Sequence, residues 1–319
     1  MTKKKEPVQP ISGTKVPRFA GPSTFARLPE LRDVGSCDVA IVGIPFDAGT
    51  SYRPGARFGP QSIRQASRHL RTNYHPNYDV EPFKVQQVAD AGDITCNPFN
   101  IDEAIKQIED GALDLLKKTK GIISLGGDHT IAFPLLRAMN KFIKGPVALV
   151  HFDAHLDTWD TYFGAPYTHG TPFRRAREEN LFLDDSSMHV GIRGPLYSRE
   201  DLKNDESFGF KIIHCDEFQS QGVDKIVERI RNRVGNNPLY LSIDIDVLDP
   251  AHAPGTGTPE IAGMTSREMV NVIRGLSGMK IISADVVEVA PAYDHAEVTS
   301  LAAATIVYEL TNLFAKAKR

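Results

Sequence analysis

The sequence predicts an α/β fold in which helices cover both faces of an eight-stranded, mostly parallel sheet. Apolar, β-branched runs alternate with segments of helical period along the chain, the pattern of a parallel sheet with helical crossovers. Those runs are almost continuous in hydrophobicity, so each strand must bury both faces. Glycine and proline gather in the connections, chiefly 51–60, 164–172 and 250–259, with no interior linker and no internal repeat. One domain over 21–319 follows, preceded by a flexible tail over 1–20 that carries the run Lys3-Lys4-Lys5.

In chain order, strands are expected at 39–44, 85–89, 122–125, 147–152, 189–192, 211–214, 239–245 and 280–287. Between them, 101–118 places Ile105, Ile108, Leu113 and Leu116 on one helical face with charges opposite. Similar helices fit 223–234, 265–276 and 300–317, and Thr265 with Glu268 three residues later reads as a capping box.

With 319 residues, 41% of them hydrophobic, the chain can bury a substantial core. Its net charge of −3 comes from interspersed acids and bases, which argues against a nucleic-acid partner. The lysine run is followed by no apolar signal segment, and no apolar run reads as long enough to cross a bilayer. A soluble, cytoplasmic protein acting on a small molecule is expected. Cys37, Cys96 and Cys215 are odd in number and far apart, so they read as buried small hydrophobes in a reducing compartment.

The chemistry is concentrated in three short runs, 126–129 (Gly-Gly-Asp-His), 153–157 (Asp-Ala-His-Leu-Asp) and 244–246 (Asp-Ile-Asp). Each follows an expected strand, and the carboxyl ends of parallel strands are where the loops of such a sheet converge on a ligand. In 153–157 and 244–246 the candidate ligands alternate with small or apolar residues, a period of two that aims them the same way from an extended backbone. Four carboxylates gathered this closely would repel one another unless cations neutralised them. The competing reading makes each aspartate a turn cap and each histidine a core residue. It explains any one of the six residues but not all six at successive strand ends. An oxygen-rich donor set with two imidazoles favours two ions such as Mn²⁺, with Ni²⁺ or Co²⁺ chemically admissible. Two such ions, about 3.5 to 4 Å apart, can share a water and lower its pKa toward neutrality.

The runs 124–129 (Ser-Leu-Gly-Gly-Asp-His), 151–157 (His-Phe-Asp-Ala-His-Leu-Asp) and 242–259, which begins Ser-Ile-Asp-Ile-Asp, resemble the ureohydrolases of the arginase and agmatinase family. The likeness runs from about Arg18 to the C-terminus, on the agmatinase-like branch that includes guanidinobutyrases. It implies an arginase-like three-layer α/β/α fold, hydrolysis of a guanidino group to urea and an amine at a binuclear manganese centre, and a homotrimer or homohexamer. Carried over by position, His129, Asp153, Asp157 and Asp244 would bind one ion, and His155 and Asp246 would complete the second, with Asp153 and Asp244 bridging.

His169, in a Gly- and Pro-punctuated loop, is expected at a solvent-accessible rim with an ordinary histidine pKa; the resemblance makes it a proton shuttle. Asp157 would relay a proton to the departing amine. Glu288, among apolar residues at the last strand's end, could grip a planar guanidinium with both oxygens, or else pair with a loop arginine. The loop 49–60, with Arg53 and Arg57, is placed at the same sheet edge, where it would shape the pocket or a subunit contact. Arg174, Arg175 and Arg177 read as an exposed helix face.

Substrate cues divide. The stretches 158–162 (Thr-Trp-Asp-Thr-Tyr) and 191–195 (Gly-Ile-Arg-Gly-Pro) depart from the arginase pattern, which disfavours arginine. The stretch 285–294 looks agmatinase-like, and Asp160 beside Trp159 could meet agmatine's ammonium; 17–21 (Pro-Arg-Phe-Ala-Gly) resembles the starts of guanidino-acid hydrolases. Agmatine is therefore expected first, with 4-guanidinobutyrate or 3-guanidinopropionate as the alternative. A one-zinc, deacetylase-like amide hydrolase and an inactive interaction subunit are the other classes, and the complete ligand set speaks against both.

Overall fold

Eight parallel strands form one sheet: β1 (Val39–Gly43), β2 (Val88–Asp93), β3 (Gly121–Leu125), β4 (Ala148–Phe152), β5 (Met188–Ile192), β6 (Lys211–His214), β7 (Leu239–Asp244) and β8 (Ile281–Val287). Their order is β2-β1-β3-β8-β7-β4-β5-β6. The computed structural model describes residues 6–317, so Lys3-Lys4-Lys5 lies outside the described residues. Neighbouring residues of the inner strands enter opposite cores: Ile123, Val150 and Leu241 on one face, Ile122, Leu149 and Tyr240 on the other. Helices Gly59–Ser67, Val223–Val234, Ser266–Gly275 and Val298–Lys316 cover the first face, and Ile101–Leu116, Ala132–Ile143 and Pro172–Glu178 the second. That two-sided cover is the α/β/α arrangement, and it explains why the strands read as unbroken apolar runs.

The Thr265 capping box forms as read, with the hydroxyl accepting from Glu268 N and the Glu268 carboxylate accepting from Thr265 N. One strand is displaced. Residues expected to open a strand at 85 instead close a helical turn, Pro82–Val85, in which Pro82 takes the first-turn position that needs no N–H. Strand β2 starts three residues later, at Val88.

Three further expectations meet a different structure. Helix Val298–Lys316, with 19 residues and a mean hydropathy of 1.3, is long and apolar enough by length and composition to span a bilayer. It is 67% buried inside the protein, between the sheet and its helical neighbours, which is why it is apolar around its circumference. Cys37 and Cys215 are buried, but Cys96 is only half-buried. Of the stretch expected as a tail, residues 6–20 lie along the body. Ile11 N donates to Arg27 O, the Arg27 guanidinium to Val16 O and Pro17 O, and the Arg68 guanidinium to Arg18 O.

Candidate metal centre

The carboxyl ends of β3, β8, β7 and β4 lie side by side, and they carry His129, Glu288, Asp244 with Asp246, and Asp153 to Asp157. Four adjacent strands of the sheet thus feed one point. Local chemistry shapes each strand end. Gly127 lets the chain pass the backbone of Phe46 so closely that a Cβ there would sit 1.6 Å from Phe46 O. Asp153 Oδ1 accepts from His155 N (2.6 Å), and Asp244 Oδ1 accepts from Asp246 N (2.8 Å), the Asx-type turn of an aspartate that bonds its own backbone two residues on. These aspartates therefore cap turns and still present a second oxygen. Asp157 (φ 55°) and Glu288 (φ 64°) both hold the left-handed region, an uncommon conformation for such residues that clusters at functional sites.

Two donor clusters result. In the first, His129 Nδ1 lies 3.1 Å from Asp153 Oδ2, 3.0 Å from Asp157 Oδ2 and 3.4 Å from Asp244 Oδ2, all four residues being buried. In the second, His155 Nδ1 lies 3.2 Å from both Asp153 Oδ1 and Asp246 Oδ2. Asp153 thus places one oxygen in each cluster, as a bridging carboxylate must. Asp244 meets the first cluster through Oδ2 and turns Oδ1 to the backbone.

The histidine tautomers suit cation binding. Ser242 Oγ donates to Asp285 Oδ1 (2.7 Å), so its lone pair is free to accept Nε2–H of His129 at 2.9 Å. That leaves His129 Nδ1 as a buried lone pair without a hydrogen-bond partner, facing three carboxylate oxygens. Tyr240 Oη holds the other oxygen of Asp285 at 2.6 Å. An orphaned imidazole nitrogen backed by a carboxylate through its far nitrogen is how proteins orient metal-ligating histidines.

Electrostatics agree. Burial, with the charge of neighbouring acids, pushes Asp244 well above the usual carboxylate range and Asp246 up to about 6. Burial lowers His129 and His155, yet the surrounding aspartates outweigh it and hold both well above an ordinary histidine. Without cations the centre must borrow protons to offset its charge.

His169 is buried rather than at a solvent rim, 7% exposed, because its ring is gripped from two sides. Nδ1 is 3.1 Å from Glu288 Oε1, and Nε2 is 2.7 Å from Ser51 Oγ. Burial would lower its pKa, but the Glu288 carboxylate outweighs that and raises it to about 9. Glu288 is buried as well, and Oε1 already accepts from His129 N (2.8 Å) and faces His169. The expected two-oxygen grip on a guanidinium is therefore reduced to one oxygen, Oε2, which is buried without a partner.

Asp160 is 65% exposed, and its Oδ1 sits 2.5 Å from Arg175 Nη2, so Arg175 belongs to an ion pair instead of a bare helix face. Trp159 stacks edge-on with Tyr162 (5.5 Å) and Tyr197 (5.6 Å) and donates its backbone N–H to Gly170, next to His169. Arg57 and Asp47 form an ion pair (2.5 Å) within the loop 49–60 and its approach, a structural role. Arg53 lies over the rings of Tyr52 and Tyr293, 5.3 Å from each, with no carboxylate at ion-pair distance among the described residues. The sequence reading missed Ser242 as the partner of His129, Asp285 and Tyr240 behind it, and His151, whose ring joins His129, Asp153 and Asp157 in one four-residue cluster. The available signal was a polar residue inside an apolar strand, as Asp285 is in β8.

Residues 37–312 match the model of the arginase family. The chain is 43% identical to guanidinopropionase of Pseudomonas aeruginosa, over 97% of this chain and 96% of that protein. It is 40% identical to the mitochondrial agmatinase of Gallus gallus, over 94% of this chain and 88% of the relative. Among solved structures, proclavaminate amidino hydrolase from Streptomyces clavuligerus superimposes with a TM-score of 0.90 at 40% identity, covering 95% of this chain and 100% of that one. The six expected ligands meet at the strand ends of that fold, and the chain belongs to the arginase family, as a hydrolase of C–N bonds in linear amidines.

Proposed function

We propose that the protein is a binuclear manganese amidinohydrolase that splits a linear guanidino compound into urea and a primary amine. The observation that carries this reading is Asp153, with one oxygen in each of two donor clusters. The donors are imidazole nitrogens and carboxylate oxygens without a thiolate, which suits Mn²⁺ and also admits Ni²⁺ or Co²⁺. Cations held there would supply Lewis acidity and an activated water near neutral pH.

The chain's own residues do the remaining work. Glu288 Oε2, buried and unpartnered, is placed to accept an N–H of the guanidinium and so orient its carbon toward the Asp153 centre. The excess of buried carboxylates favours a cationic group over a neutral amide. Release of the amine needs a proton. His169, joined to Glu288 on one side and to exposed Ser51 on the other, can pass one inward from solvent. Asp157, 3.0 Å from His129 in the first cluster, is the acid assigned the final transfer.

Two observations favour a guanidino acid over agmatine. The acid expected to read agmatine's ammonium, Asp160, is exposed and already paired with Arg175. Arg53 has no carboxylate at ion-pair distance among the described residues, and its backbone oxygen borders Gly257 together with Glu288 Oε2, at 3.1 and 3.4 Å from a Cβ built there. A guanidinium carried by the loop that borders Glu288 suits a substrate that ends in a carboxylate.

The test is urea release with Mn²⁺ from 4-guanidinobutyrate, 3-guanidinopropionate, agmatine and arginine. The guanidino acids should turn over fastest, and Arg53→Ala should raise KM for them selectively. Fastest turnover of agmatine would restore the Asp160 reading. A single zinc per subunit and no urea from any member would remove the amidinohydrolase proposal.

A further inference from the structure

Behind Asp153 runs a line of buried polar side chains that the chemistry above does not use. His151 Nε2 lies 2.8 Å from Asp153 Oδ2, and His151 Nδ1 lies 2.7 Å from His189 Nδ1. His189 Nε2 continues to Asp205 Oδ1 at 3.2 Å, where Thr158 Oγ1 also donates at 2.9 Å. His151, His189 and Asp205 are fully buried. The pairing of β4 with β5 sets His151 directly opposite His189, and Asp205 reaches them from helix Arg199–Ser207. Phe173 packs on His151, with ring centroids 4.3 Å apart, and Phe210 on His189 at 3.9 Å.

Polar groups in an apolar enclosure destabilise a fold unless they are hydrogen-bonded, so this line is there for its bonds. Their direction can be worked out. A carboxylate only accepts, so His151 Nε2 must carry a hydrogen aimed at Asp153 Oδ2. The contact between the two Nδ1 atoms holds one hydrogen, and the contact with Asp205 another. Each of the three links holds one hydrogen, so the line is continuous from Asp153 to Asp205.

At the near end, Asp153 Oδ1 is held by His155 N (2.6 Å) while Oδ2 is held by His151. Rotation of the carboxylate about Cβ–Cγ would break both bonds. We propose that His151, His189 and Asp205 form a positioning relay that fixes the Asp153 carboxylate with one oxygen toward each cation cluster. The relay rests on the reading of Asp153 as a shared metal ligand.

The test is Mn²⁺ titration of the metal-freed full chain, followed by the electron paramagnetic resonance of unbound Mn²⁺, for wild type and His189→Leu. The variant leaves every proposed ligand in place and cuts the relay one residue away from them. Apparent Kd should rise by about tenfold to a hundredfold, the usual effect of losing an outer-shell partner, and saturating Mn²⁺ should restore kcat. An unchanged Kd with a lower melting temperature would mean that His189 only fills space, and would overturn the proposal. If His189→Leu does not fold, Asp205→Ala, which removes the partner of His189 Nε2, takes its place. It should raise Kd by about tenfold, and an unchanged value overturns the relay equally. Wild-type protein that binds no Mn²⁺ would instead strike at the proposed function.

Discussion

The two cation clusters share a carboxylate but are unequally built. On the His129 side four buried residues converge, and the imidazole is locked from behind by Ser242, Asp285 and Tyr240. On the His155 side there are three residues. His155 is 17% exposed, and its far nitrogen faces Glu260 at 3.7 Å, beyond hydrogen-bond length. A cation on the first side gains more donors and loses less freedom in its ligands. Under the proposed two-metal reading, the difference predicts a deep, tightly held ion and an outer, exchangeable one.

Asp153→Ala attacks what both halves share and carries the largest expected effect. Both ions should be lost, and kcat should fall on the order of a thousandfold or more once water is no longer activated. Metal analysis beside urea release checks this, and a variant that keeps two ions would refute the sharing. Asp285→Asn should act on the deep half alone, weakening the tighter Mn²⁺ by about tenfold to a hundredfold through the His129 tautomer. Its counterpart Glu260→Gln should change the weaker ion by no more than about threefold, because that contact is long and solvent-screened. Calorimetric titration of both variants resolves the two affinities, and equal effects would erase the proposed asymmetry.

The smallest expected effect is on the pH dependence of the metal-free protein. His169 is raised to about 9, so the stability it contributes is complete below the ordinary histidine value and is lost as pH rises through 9. Asp246 is raised to about 6, and its contribution is likewise lost as pH rises through that value. The signs add, so the melting temperature of metal-free protein should fall from pH 5 to pH 9, and Mn²⁺ should flatten the slope. A metal-free protein that becomes more stable with rising pH would contradict the account.

Much of this was legible in the sequence, and the rest was hidden for definite physical reasons. The strands could be read because two-sided burial makes them apolar throughout; the six ligands could be read because period two aims them together. Strand order could not be read, since β8 enters between β3 and β7 although Ser124 and its partner Asp285 are far apart in the chain. The supports of the ligands were hidden with it. His151 meets His189, and Ser242 meets Asp285, only through inter-strand register. Glu288 has both oxygens in any sequence reading, but folding brings His129 N and His169 onto one of them. His169 looked like a rim residue because its loop is rich in glycine and proline, and that composition says nothing of the Glu288 and Ser51 contacts that enclose it.

Anomalous diffraction at the manganese edge, from crystals of the full chain grown with Mn²⁺, tests the shared carboxylate most directly. The account predicts two peaks per chain, about 3.5 to 4 Å apart, each coordinated by a different oxygen of Asp153, with the stronger peak on the His129 side. One peak, or two that do not both touch Asp153, would contradict it.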